Sequence, residues 1–123
     1  MTGKKEKKIP EPKVPKTKAQ YFKLIKTGKL LYKKGDFVNA IKYFNRSFDY
    51  NNSDPNVLIL LAESLFRIDK KNAALEILTY ALEINSTDPG IVSSLGNAAV
   101  GMNFFDLAQR FHKTHISLEP NNT

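Results

Sequence analysis

No cysteine occurs anywhere in the chain, which excludes disulfides, thiolate nucleophiles and cysteine-ligated zinc or iron–sulfur sites together. That fits a reducing compartment, and a cytoplasmic setting is expected. Tryptophan is absent too, and no stretch approaches the ~18 to 20 consecutive apolar residues of a membrane span. Met1 to Lys8 are polar and lysine-rich with no apolar core behind them, so no export signal is read there. The Asn-x-Ser/Thr triplets at Asn45, Asn51, Asn85 and Asn121 then carry no glycosylation argument. A glycine-rich phosphate loop is missing, as is any nucleophile with a base and an orienting acid. Glu63 is a single carboxylate where acid–base chemistry needs a tuned pair. No enzyme activity and no cofactor are expected.

What is present fills one small domain: 123 residues of 13.9 kDa, 41% hydrophobic. The net charge of +7 is placed unevenly. Residues 1–20 hold seven lysines against two glutamates, and residues 21–54 seven basic against three acidic side chains. Residues 55–88 carry three basic and five acidic side chains, and the remainder is neutral. The positive field therefore sits at the N-terminal end.

Pro10, Pro12 and Pro15 fall in residues 1–20, where Ile9, Val14 and Ala19 are the only apolar side chains after Met1. So little apolar content does not repay the entropy of ordering, and a disordered basic tail is expected over residues 1–20. If each lysine near an anionic surface contributes about 1 kcal/mol, a net +5 yields about 5 kcal/mol at most. That corresponds to a dissociation constant no tighter than roughly 0.1 to 1 mM, so the tail is an auxiliary contact with a membrane or nucleic acid.

From Tyr21 onward the apolar residues recur at three- and four-residue steps, and the register repeats every 34 residues. Small residues mark one column (Gly28, Ala62, Gly96) and a second (Ala40, Ala74, Ala108). Leu24, Leu58 and Val92 form another, as do Leu31, Leu65 and Ala99, and Phe48, Leu82 and Ile116. Asp54-Pro55 and Asp88-Pro89 each combine an acidic N-cap with proline at the first helical position. Lys34-Gly35-Asp36, Asp69 to Asn72 and Met102-Asn103 break each unit at its middle. First helices are expected near 21–34, 55–68 and 89–101, and second helices near 37–50, 71–84 and 105–118. Short turns force antiparallel neighbours, and hairpins with one wet apolar face must stack. The expected architecture is an all-α solenoid of three helix-turn-helix repeats, residues 21–54, 55–88 and 89–122.

Lys34-Gly35-Asp36-Phe37, Asn39-Ala40-Ile41, Tyr43-Phe44, Ala74-Leu75-Glu76, Ala81 to Asn85 and Leu95 to Ala98 resemble the tetratricopeptide repeat family, over about 102 of 123 residues. The resemblance implies a right-handed superhelical solenoid whose first helices line a concave groove for a peptide or a partner's helix, and it brings no chemistry. Groove candidates in this register are Phe22, Ile25, Lys26, Lys29, Tyr32 and Lys33, then Asn56, Ile59, Leu60, Glu63, Phe66 and Arg67, then Ser93, Ser94, Asn97, Val100 and Gly101. The family's clamp for acidic chaperone tails maps onto Ile25, Lys29, Leu60, Gly90 and Ser94, of which only Lys29 is basic. That argues against a chaperone-tail function.

The remaining strip of Ile25, Tyr32, Ile59, Leu60 and Phe66, flanked by Lys26, Lys29, Lys33 and Arg67, suits a protein partner mixing apolar and acidic residues. For Ile25 and Leu60, packing inside the solenoid competes equally with binding. At the other end, Phe105, Phe111, His112 and His115 are candidates for end-stacking, against another copy, a partner or further chain. One histidine pair, His112 and His115, is by itself a poor metal site, and solvated or end-face histidines are expected in place of one. The function expected is a protein-binding scaffold, with self-assembly through the third repeat as the alternative.

Overall fold

A computed structural model describes residues 9–118 of the chain. It contains α1 (Lys18–Lys33), α2 (Phe37–Tyr50), α3 (Pro55–Arg67), α4 (Lys71–Ile84), α5 (Pro89–Gly101) and α6 (Phe105–Ser117), with no strand among the described residues. Bounds agree with the sequence expectation to within a residue except at the first start. Helix α1 begins three residues early because Thr17 caps it: its hydroxyl accepts from Gln20 N–H at 3.1 Å, while Gln20 Oε1 accepts from Lys16 N–H at 2.8 Å. These bonds satisfy amides that a helix N-terminus otherwise leaves open.

Asp36, Asp54 and Asp88 cap α2, α3 and α5 through their carboxylates, with Pro55 and Pro89 in the first turn. Helices α4 and α6 have no side-chain cap. Their start is fixed instead by the turn before it. Gly35, Asp69 and Asn103, spaced by 34, all adopt a left-handed backbone, with φ of 81°, 65° and 63°. In each turn the next amide reaches back five residues: Asp36 N to Leu31 O, Lys70 N to Leu65 O and Phe104 N to Ala99 O, all at 2.9 Å. This is one helix-ending motif used three times.

Each hairpin packs its two helices together, and consecutive hairpins meet through α2 against α3 and α4 against α5. First helices also touch one another, α1 with α3 and α3 with α5, whereas among the described residues no pair of second helices does so to the same extent. Two apolar clusters result. One joins Tyr21, Ile25, Leu31, Ala40, Tyr43 and Phe44 to Val57 and Leu61 of α3. The other runs from Leu58, Leu78 and Ala81 to Val92, Leu95, Leu107 and Phe111. Small residues permit the approach: a Cβ on Gly28 would lie 2.7 Å from Phe44 Cε1, and one on Gly96 would lie 3.2 Å from Phe111 Cβ.

The expected free tail is corrected over residues 9–17. This segment is extended and lies across the first hairpin, with Pro15 buried and Ile9 packed on its apolar cluster. Tyr43 Oη donates to Pro10 O at 3.1 Å, Arg46 Nε donates to Pro12 O at 3.3 Å, and Lys42 pairs with Glu11 at 2.9 Å. Prolines lower the entropy that ordering costs, so a few anchoring bonds and one apolar contact suffice. Residues 1–8 of the tail, and 119–122 of the third repeat, lie outside the described residues.

Candidate interaction surface

Because α1, α3 and α5 lie side by side, residues 34 apart form rows across them. Two such rows are exposed in all three repeats, Phe22, Asn56 and Gly90, and Lys33, Arg67 and Gly101; two more, Lys26, Leu60 and Ser94, and Lys29, Glu63 and Asn97, are exposed in the first and third. Only Leu60 and Glu63 among these twelve are half-buried. The helical period explains the selection, since these positions share one face of each first helix while the opposite face carries the core. Lysines dominate the first helix, an acid and an arginine the second, and small polar groups the third.

The apolar anchors expected on this face are mostly committed to packing. Ile25 is 7% exposed and belongs to the core, which removes it from the groove. Tyr32 is half-buried and meets Phe37 edge-on at 5.4 Å, and the Arg67 guanidinium lies 5.7 Å from the Phe37 ring. Phe66 meets Phe104 edge-on at 5.9 Å, with the Lys71 ammonium 6.0 Å from its ring. Ile59 and Leu60 are half-buried against the clusters. Phe22, 60% exposed, and Val100, 52% exposed, are the large apolar side chains of the expected groove set that remain open.

Tyr32 couples two repeats electrostatically. Burial and the neighbouring Glu63 carboxylate push its phenol up, and Arg67 acts in the opposite direction. Lys26, Lys29 and Lys33 are exposed along α1, and a cation row of this kind steers an acidic partner by raising its local concentration.

At the third repeat the expected end-stacking set divides. Phe105 is 61% exposed and His112 is exposed, with His115 half-buried. Phe111 is corrected from surface to core: it is 1% exposed and its Cβ lies against the space Gly96 leaves open. It stands one position before the column of Phe44 and Leu78. In α6 that column holds the exposed His112, while Phe111 falls in the column of Tyr43, which is likewise buried. No group of three or more metal-ligating side chains gathers among the described residues.

A second surface was not anticipated from the sequence. Residues 9–16 and α1, with Tyr43 of α2, flank an open cleft of about 770 Å³, lined by Ile9, Val14, Leu24 and Leu31 and by the exposed Lys13, Lys16 and Lys23. The signal lay in Ile9 and Val14 among the prolines, which composition alone assigned to a solvated leader. No helix among the described residues is long and apolar enough to cross a membrane. No protein-family model matches the chain, and no match to a curated protein was found.

Proposed function

We propose that this chain is a non-enzymatic protein-binding scaffold of the tetratricopeptide type, a right-handed solenoid acting in the cytoplasm. It would receive an acidic peptide or helix across α1, α3 and α5. One observation carries this reading: Lys33/Arg67/Gly101 are exposed in all three repeats, and Lys26/Leu60/Ser94 and Lys29/Glu63/Asn97 in the first and third with Leu60 and Glu63 half-buried, on the face of the first helices opposite the core. First helices that meet one another more than any pair of second helices does, among the described residues, favour a curvature with α1, α3 and α5 on the inner side. With Ile25 in the core and Tyr32 and Phe66 engaged, recognition falls on the cations Lys26, Lys29, Lys33 and Arg67, with Phe22 and Leu60 as apolar contacts.

The test uses a fluorescent peptide alternating glutamate and leucine, its lysine counterpart, and the variant Lys29→Glu, Lys33→Glu, Arg67→Glu. The acidic peptide is expected to bind the parent chain with affinity that falls steeply with salt, and roughly a hundredfold more weakly to the variant. Equal binding of both peptides, or no loss in the variant, would sink the proposal.

A second reading, self-assembly through the third repeat, rests on Phe105. Its counterpart Phe37, two repeats earlier, is covered by Arg67 of the following hairpin, whereas Phe105 is 61% exposed. Light-scattering mass that rises with concentration, and stops rising in Phe105→Glu, would favour it.

A further inference from the structure

We infer that the cleft between residues 9–16 and α1 is a binding site for a small anionic amphiphile, a long-chain carboxylate, separate from the surface proposed above.

The repeat pattern has a gap on the outer side of the first hairpin. Leu61 lies in the apolar cluster of the preceding hairpin, and Leu95, 34 residues on, in the cluster it shares with Leu58 and Leu78. The residue at this place in the first repeat is Thr27, half-buried, with no hairpin before it among the described residues. Residues 9–16 lie there instead. A single extended segment is thinner than a pair of helices, so it covers the face without filling it. The space left between is the cleft, with Thr27 and Leu24 on one side and Ile9 and Val14 on the other.

Its size and chemistry select the ligand. A volume of about 770 Å³ falls in the range of ~300 to 1,000 Å³ typical of small-molecule sites. Eleven residues line it, about half of the ~20 to 30 that each side of a stable protein interface contributes. Apolar walls without a carboxylate among them take a hydrocarbon chain and leave the headgroup at the rim. There Lys13, Lys16 and Lys23 are exposed, and none pairs with a carboxylate among the described residues. Long lysine stems lie along apolar surface while their ammonium groups remain in water, which suits an acyl chain ending in a carboxylate. Two lining residues, Tyr43 and Pro10, are joined by the bond from Tyr43 Oη to Pro10 O.

Titration calorimetry of the whole chain with oleate below its micelle threshold tests this, with oleyl alcohol and oleylamine as headgroup controls and phosphatidylserine vesicles as the membrane control. Saturable one-to-one binding of oleate is expected, weaker for the alcohol and absent for the amine. Thr27→Phe, which fills the cleft and leaves the charges, and Lys13→Glu/Lys16→Glu/Lys23→Glu, which leaves the walls, should each weaken oleate about tenfold or more. Arg110→Glu/Lys113→Glu on α6 should not. Equal binding of all three headgroups, indifference to Thr27→Phe, or binding to vesicles but not to monomeric oleate overturns the inference. An acidic helical peptide that displaces oleate at lower concentration would assign the cleft to a protein partner and overturn it as well.

Discussion

Tyr21 Oη donates to Asp54 Oδ2 at 3.0 Å, while the other oxygen of the same carboxylate caps α3 by accepting from Asn56 N–H at 3.0 Å. The first residue of one repeat thus holds the helix start of the next. Tyr21 is 3% exposed, and burial followed by the Asp54 carboxylate pushes its phenol well above the usual tyrosine range. Tyr21→Phe should cost about 1 kcal/mol at pH 7. A raised folded-state value means this stability is complete below an unfolded tyrosine value of about 10 and is lost as pH rises above it. In urea melts the deficit of Tyr21→Phe should therefore shrink between pH 7 and pH 11. A constant deficit would mean that the phenol is not held neutral by the fold.

The contact of Gly28 with Phe44 predicts a compensating pair. Gly28→Ala places a Cβ 2.7 Å from the ring, and overpacking of this kind costs about 1 to 3 kcal/mol, partly offset by about 1 kcal/mol of helix propensity. The second repeat has Ala62 and Leu78 at these positions, both fully buried. Combining Gly28→Ala with Phe44→Leu should therefore lose less stability than the two single changes added together. Strict additivity in chemical denaturation would count against the close approach.

Asp69 and Asn103 hold the left-handed turn that Gly35 holds in the first repeat. Side chains with a Cβ are strained there, asparagine and aspartate less than others. Asp69→Gly and Asn103→Gly should each stabilise by about 0.5 to 1 kcal/mol, additively because the sites belong to different hairpins. Thermal melts of the two single variants and the double variant check this.

Phe105 and Phe111, six residues apart on α6, should respond in opposite ways. Phe111→Ala removes a ring that is 1% exposed and should cost about 3 to 5 kcal/mol. Phe105→Glu changes an exposed ring and should alter stability by no more than about 0.5 kcal/mol. Similar losses for both would contradict the burial of Phe111 and the exposure of Phe105.

Periodicity made the helices and the turns legible in the sequence, since Gly28/Ala62/Gly96 and Asp54-Pro55/Asp88-Pro89 reflect local steric and capping rules. The site was less legible. Ile25, Tyr32, Phe66 and Phe111 are apolar at positions where burial and binding demand the same residue type, so composition does not separate them. Only the neighbours do: Phe37 and Arg67 beside Tyr32, Phe104 beside Phe66, Gly96 beneath Phe111. The packing of residues 9–17 was hidden for another reason. It depends on Tyr43, Arg46 and Lys42, about 30 residues away, and on no local pattern.

The segment across the first hairpin gives the molecule a direction. Its prolines offer few backbone donors and its lysines repel one another, so that end is a poor template for a further layer of helices. The third hairpin carries no such cover among the described residues and shows Phe105, Val100 and Ile116 to solvent. Of the two ends, the third hairpin is therefore the one that offers apolar side chains to a docking helix, and a contact that used the same face of two copies would close into a pair and not grow into a filament.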